Sequence, residues 1–323
     1  MNEIQAVFSD LSNSLSTQVL GQPHLIERLL IALLADGHLL VEGAPGLAKT
    51  RAIQKLGEHI EANFHRIQFT PDLLPADLTG TDIFRPQDSS FVFQPGPLFH
   101  NLILADEINR APAKVQSALL EAMAERQITI GQTSYPLDDP FLVMATQNPI
   151  EQEGTYPLPE AQLDRFLLHV MVGYPQVATE QQILNLARNE ARNGRAEKQE
   201  KAAQLSNRQL QEARSQVLDL YLADNLEEYL LQLVLATRQP EPYGEDLAGW
   251  IQYGASPRAS IALDRCSRAR AWLAGRDYVS PEDIQSLAFD VLRHRVLLTY
   301  EAEAEGVNVD RLVAELIARV PVP

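Results

Sequence analysis

The stretch that decides the fold is HLLVEGAPGLAKT, residues 38–50. Residues 38–42 form a short apolar run of strand length, and Gly43-Ala44-Pro45-Gly46 is a turn. Lys49-Thr50 then opens a helical pattern with Ile53, Leu56 and Ile60 on one face. A glycine-rich turn between a strand and a helix is the context a phosphate needs, because backbone N–H groups and the helix N-terminus face the anion. In that arrangement Lys49 reaches the β- and γ-phosphates and the Thr50 hydroxyl ligates Mg²⁺. Ala48 stands where the usual pattern has a second glycine, and its methyl group fits if the backbone there stays right-handed. Without further support the same residues read as a Gly/Pro turn that caps a helix.

That support lies downstream in Leu102-Ile103-Leu104-Ala105-Asp106-Glu107, an apolar run ending in two carboxylates. Asp106 is placed to hold Mg²⁺ through its water shell, and Glu107 to polarise an attacking water. The alternative is that the pair only supplies helix-capping charge. Asn148 follows the next apolar run, where its amide can orient the lytic water. Arg165, in Leu163-Asp164-Arg165-Phe166, enters the last strand and either serves the chemistry or pairs with Asp164. Arg258, in Ser256-Pro257-Arg258, begins a helix.

Working outward, residues 64–69 (FHRIQF), 101–106 (NLILAD), 141–146 (FLVMAT) and 166–170 (FLLHV) read as buried strands like 38–42. Helical patterns lie between them, including 112–125 with Val115, Leu119 and Met123 on one face. This alternation predicts a parallel sheet covered on both faces, an α/β fold. Residues 81–94 and 126–137 break it and read as inserted β-hairpins. After Tyr174-Pro175 the strand signal stops. Thr179 with Gln182 resembles a capping-box pair opening a helix, residues 257–274 are helical up to Gly275, and Ser280-Pro281-Glu282-Asp283 is a helix start. The boundary therefore falls at 178, with an α/β domain over 1–178 and an all-helical domain over 179–323.

Of 323 residues, 43 are acidic and 27 basic, a net charge of −16. A motor that tracks a duplex usually displays a basic stripe. Here the densest basic stretch, 188–201, is interleaved with Glu190, Glu197 and Glu200 and reads as a solvated helix or linker. Nucleic acid is thus a disfavoured partner. Residues 1–20 do not read as a signal peptide, and the longest apolar run, near 29–35, is too short to span a membrane. The single cysteine, Cys266, sits in a helical apolar pattern and reads as core, so neither a disulfide framework nor a cysteine zinc cage is available. A cytoplasmic location follows as the simplest expectation. Glu301, Glu303 and Glu305 read as a solvated helix end.

Together these motifs resemble the MoxR family of AAA+ ATPases over nearly the whole chain. The stretches that carry the likeness are GAPGLAKT (43–50), QFTPDLLPADLTG (68–80), LADEINRAPAKVQSALLEAMAERQITI (104–130), ATQNPIEQEGTYPLPEAQLDRFLL (145–168) and SPRASIAL (256–263). Ala48 is itself usual in MoxR-like loops. The resemblance implies a P-loop NTPase core of the AAA+ type and a helical lid. It implies that Gly43, Ala44, Pro45, Gly46, Leu47, Ala48, Lys49, Thr50 and Arg51 bind ATP, with Gly21-Gln22 along the adenine. Lys49 and Thr50 match the Walker A lysine and hydroxyl, and Asp106 and Glu107 match Walker B. Asn148 matches sensor 1, Arg165 the arginine finger that reaches a neighbouring subunit, and Arg258 the sensor-2 arginine of the lid. The hairpins at 81–94 and 126–137 match the helix-2 insert and the pre-sensor-1 hairpin.

The resemblance further implies a hexameric ring, chaperone-like remodelling of protein clients, and a von Willebrand factor A domain partner. Competing readings are a nucleic-acid motor of related fold, a nucleotide-switched scaffold, and a chelatase-type motor subunit. The 81–94 hairpin is the expected coupling element to a client. Its Phe91 and Phe93 point the same way if the segment is a strand, unless both pack beneath the hairpin.

Overall fold

A computed structural model of the chain describes residues 2–87, 89–149, 154–193 and 205–322. From the N-terminus, β1 (Leu39–Glu42) and β2 (Phe64–Gln68) precede a hairpin of β3 (Gly80–Arg85) and β4 (Ser90–Pro95). Next come β5 (Leu102–Asp106), a second hairpin of β6 (Gln127–Ile130) and β7 (Thr133–Pro136), then β8 (Leu142–Gln147) and β9 (Leu168–Met171). The main sheet has five strands in the order β2-β5-β8-β1-β9, and the pairs β2–β5, β5–β8 and β1–β8 are parallel. The two expected hairpins stand outside it.

Contacts divide the chain into two compact units. One is Ser9–Leu158 with Val170–Leu210, and the other is Met1–Phe8, Pro159–His169 and Gln211–Pro323. In the first, β1, β5 and β8 are apolar and buried until their C-terminal ends, where Glu42, Asp106 and Thr146-Gln147 follow, as expected of strands covered on both faces. Helix Pro23–Leu34 buries Leu25, Ile26, Leu29, Leu30 and Leu33, while Ala113–Glu125 buries Val115, Leu119 and Met123. Each such side chain contributes about 1.5–3 kcal/mol of apolar burial.

The second unit is helical, with Asp224–Ala236, Pro257–Leu273, Pro281–Leu292 and Val309–Arg319 as its main helices. Cys266 is buried in the helix Pro257–Leu273, as expected of a core thiol. Phe8 meets Trp272 edge-on, with ring centroids 5.2 Å apart. Ser280 caps Pro281–Leu292 in a capping box with Asp283. Glu301, Glu303 and Glu305 are exposed. To this helical pattern the structure adds one antiparallel ladder, β10 (Ile251–Tyr253) with β11 (Leu297–Leu298).

Two local expectations shift. The last strand begins at Leu168, because the carbonyls before it are already used. The Phe166 carbonyl accepts from Arg295 Nη2 at 2.6 Å and from His294 Nε2 at 3.0 Å, and the Leu167 carbonyl accepts from Arg295 Nη1 at 3.2 Å. The helix expected to open at Thr179 instead spans Val177–Asn193. The Gln176 carbonyl starts it, accepting from the N–H groups of Thr179 and Glu180, so Thr179 is inside the first turn. Of the basic stretch 188–201, the part up to 193 is helical and residues 194–201 lie outside the described residues.

Candidate functional site

β1 ends at Glu42, and the chain turns through residues 43–48 into the helix Lys49–His59. Gly43 has no room for a side chain, since a Cβ there would lie 2.5 Å from the Val172 carbonyl oxygen. Ala48 does not have the right-handed backbone on which the fit of its methyl group was made to depend. Its φ is 58° and ψ 15°, left-handed, as the residue immediately before the helix. The turn needs that reversal to aim the helix N-terminus into the loop, and alanine carries the smallest Cβ substituent that has to be fitted there. Glu107 is also left-handed, with φ 57° and ψ 51°. Strained backbone at two non-glycine residues around one cavity is a feature of functional sites.

That cavity has a volume of about 390 Å³ and is lined by residues 45–51, Arg66, Asp106, Glu107 and residues 146–148. Its size fits a small-molecule ligand. Lys49 is buried at its wall, and its Nζ donates to the Gly43 carbonyl at 2.5 Å. Burial pushes the Lys49 ammonium below the ordinary lysine value. The charges of Asp106, Glu107 and Glu42 act upward but do not fully offset this. A cation that burial has stripped of part of its water gains from an arriving anion. The loop N–H groups and the Lys49 amine therefore fit a phosphate.

The acidic pair is held by neighbouring strands. Parallel pairing sets Gln68 of β2 opposite Asp106 of β5. Asp106 Oδ1 accepts from Thr146 Oγ1 at 2.6 Å, and Oδ2 accepts from Arg66 Nη2 at 2.6 Å and Nε at 3.1 Å. The Glu107 N–H donates to Thr146 Oγ1 at 3.0 Å. Glu107 Oε2 accepts from Gln68 Nε2 at 2.8 Å and Arg110 Nη1 at 3.2 Å. Gln68 Oε1 in turn accepts from Arg66 Nη2 at 2.9 Å. Asp106 and Glu107 are thus joined through Arg66 and Gln68. Hard oxygen donors, the Thr50 hydroxyl and the Asp106 carboxylate, both face the cavity, which suits Mg²⁺.

A second cavity of about 110 Å³ lies beside the loop, lined by Gln18, Leu20, Gln22, residues 46–48, Arg51, Pro175, Ile183, Leu186 and Ala187. Gln22 is buried, and its Nε2 donates to the Gly173 carbonyl at 3.3 Å. Gly21 occupies the turn before Pro23–Leu34. Mostly apolar walls with the amides of Gln18 and Gln22 and the guanidinium of Arg51 suit a flat heterocycle such as adenine.

Of the residues read from sequence, the structure brings together Pro45 to Arg51, Asp106, Glu107 and Asn148 around the cavity. Asn148 is buried. Arg165 and Arg258 belong to the other unit. Arg165 is exposed in the turn after the helix Glu160–Leu163, three residues before β9 rather than at its start. The Asp164 carboxylate accepts from Ser256 Oγ at 2.8 Å and Arg295 Nε at 2.9 Å, with Arg258 Nη1 at 3.6 Å. Arg66, Gln68, Arg110 and Thr146 were not among the sequence candidates. A signal for two of them exists, because alternation puts Arg66 and Gln68 on one face of β2.

The hairpins show a split outcome. Phe91 is 69% exposed and pairs with Phe84 at 5.2 Å, while Phe93 stacks on Tyr135 of the second hairpin at 4.3 Å.

Among the described residues, no helix is long and apolar enough to cross a membrane. Residues 38–168 match the ATPase family associated with various cellular activities (AAA), and residues 248–316 match the AAA lid domain. The fold and this pair of matches define the class: an AAA ATPase core with its lid. The chain is 46% identical to chaperone MoxR1 of Mycobacterium tuberculosis, over 94% of this chain and 79% of that protein. It is 31% identical to protein MoxR of Methylorubrum extorquens, over 94% of this chain and 92% of that one. A crystal structure of a candidate ATPase from Cytophaga hutchinsonii superimposes with a TM-score of 0.91 at 46% identity, covering 99% of this chain and 96% of the other. The chain belongs to the MoxR family of AAA+ ATPases.

Proposed function

We propose that the protein hydrolyses Mg-ATP in a homo-oligomeric ring, expected to be hexameric, and uses the cycle to remodel protein clients. The observation that carries this reading is the cavity of about 390 Å³ where residues 45–51, Asp106, Glu107 and Asn148 converge. Lys49 and the loop N–H groups bind the phosphates, and Gly21 and Gln22 border the adenine. Thr50 and Asp106 would hold Mg²⁺, which would supply positive charge to offset that of the phosphates; such sites use one or two protein ligands plus the phosphates. Glu107 polarises the attacking water and Asn148 orients it. Arg258 acts from the lid, with the domain boundary at 178/179. A von Willebrand factor A domain partner and a cytoplasmic location belong to the same proposal.

Exchanging Glu107 for Gln tests the chemistry. The amide keeps the shape but cannot polarise water, so nucleotide binding should persist while turnover stalls. Hydrolysis at the wild-type rate would reassign Glu107.

Arg165 is proposed as the finger for the next subunit, worth roughly 10³–10⁵ in rate when it acts in trans. Lys49→Ala subunits lack the phosphate contact but keep Arg165, and Arg165→Ala subunits are the converse. Each alone should be nearly inactive, and activity should reappear in rings shown to be mixed. No recovery in such rings would mean that Arg165 works within its own chain or only structurally.

A further inference from the structure

We infer that Arg66 is the protein's own cation on the metal-binding carboxylate: it holds Asp106 until Mg²⁺ arrives, and the two compete for the same carboxylate. This deepens the proposed Mg-ATP reading and rests on it. A carboxylate offers about four lone-pair directions. Asp106 has three of them taken, one at Oδ1 by Thr146 and two at Oδ2 by the Arg66 fork. Only one direction stays open to a metal or its hydration shell. Thr146 does not stand in the way electrostatically, because a neutral hydroxyl leaves the carboxylate its charge. Arg66 does, because it adds a full positive charge where a dication has to approach.

The two partners of Asp106 also differ in how firmly they are set. Thr146 is buried in β8. The Arg66 side chain is 51% exposed, against 14% for Asp106, and it lines the cavity itself. A long, half-exposed side chain can leave its partner at small cost, since ion pairs open to water contribute little. Its second contact, Nη2 to Gln68 Oε1, keeps it beside the site. In the absence of metal the same guanidinium screens Asp106 from the negative phosphates of an arriving nucleotide. Arg66 therefore has opposite effects on the two ligands. It favours nucleotide without metal, and it opposes metal.

The test uses the full chain and a fluorescent non-hydrolysable ATP analogue, titrated first in EDTA and then at fixed analogue against MgCl₂. The proteins are wild type, Arg66→Gln, Arg66→Lys and Lys49→Ala. For Arg66→Gln we expect affinity in EDTA to fall roughly three- to tenfold, and the Mg²⁺ concentration at half-maximal signal to fall by a similar factor. Arg66→Lys keeps the charge without the planar fork and should lie between. A role limited to folding or sheet packing would not shift the two titrations in opposite senses. If the Mg²⁺ midpoint rises or stays at the wild-type value in Arg66→Gln, the competition is overturned. Should Arg66→Gln not fold, Arg66→Lys decides by the direction of its midpoint. If wild type itself fails to bind the analogue, or Lys49→Ala binds it equally well, the underlying nucleotide-site reading fails instead.

Discussion

Asp283 and Asp106 are both aspartates gripped by arginine, and they differ in what surrounds the grip. Asp283 is fully buried. Its Oδ1 accepts from Arg270 Nη1 at 2.5 Å and Arg276 Nη2 at 2.6 Å, and its Oδ2 accepts from Arg276 Nη1 at 2.6 Å and the Ser280 N–H at 2.9 Å. Burial alone would raise its carboxyl, but these hydrogen bonds and the arginine charges outweigh it and leave it below the ordinary carboxylate value. Its bonding capacity is spent on the protein, and it closes a helix N-terminus in the same act. Asp106 ends a strand at a cavity and keeps one direction open. Its arginine is half-exposed. A closed network fixes one conformation, whereas one left ajar at a cavity can exchange a protein partner for a ligand.

The contrast can be broken most sharply from the open side. Lys49→Ala should reduce ATP affinity roughly a thousandfold, the scale of losing a buried charge contact to a phosphate, while leaving unfolding almost unchanged. Calorimetry showing tight Mg-ATP binding by this variant would remove the open site from the comparison. The closed side is tested by pairing Asp283→Ala with Asp106→Ala in urea unfolding. The first strands two arginines around a sealed pocket and should cost on the order of 3 kcal/mol. The second loses an ion pair whose arginine is half-exposed and one bond from the buried Thr146 hydroxyl, and should cost less, about 1–2 kcal/mol. Equal losses would mean that the two grips are energetically alike.

The sequence made the open site legible for a physical reason. Phosphate binding demands a strand, a glycine turn and a helix start in continuous order, so Gly43 to Thr50 declared themselves, as did the apolar run into Asp106-Glu107. Residues that reach the site across the sheet did not. Arg66, Gln68 and Thr146 matter because β2, β5 and β8 are neighbours in register, and strand order is not written in any one segment. Alternation in FHRIQF put Arg66 and Gln68 on one face without saying what that face meets. Ala48 shows the same limit within the loop: its fit was made conditional on a right-handed backbone, which local sterics favour and the turn overrides. The start of β9 was misplaced because Arg295 and His294, more than 120 residues downstream, take the carbonyl of Phe166.

Sealed groups should also carry a pH signature, and His38 offers the cleanest one. Its Nδ1 accepts from the Val143 N–H at 3.1 Å, which leaves Nε2 to donate to the Met123 carbonyl at 3.3 Å. The ring is therefore neutral where it sits. Burial, then the charge of Arg126, push its pKa from 6.5 down to about 3. The sign follows from proton binding. Above 6.5 neither the folded nor the unfolded ring is protonated, and the full stability is present. Between 6.5 and about 3 the unfolded chain takes up a proton that the folded ring refuses, so stability falls as pH falls. One such group contributes a slope of at most about 1.4 kcal/mol per pH unit. Urea unfolding at pH 7.5, 6.5, 5.8 and 5.2 stays above the range where carboxylates dominate. His38→Gln keeps one acceptor and one donor but has no titrating ring, so its stability should decline less steeply over that interval. His294, also buried with its pKa held well below 6.5, remains in the variant and sets a residual slope. Identical slopes in wild type and His38→Gln would show that His38 takes up its proton in the folded state, and that burial there does not seal the ring as it seals Asp283.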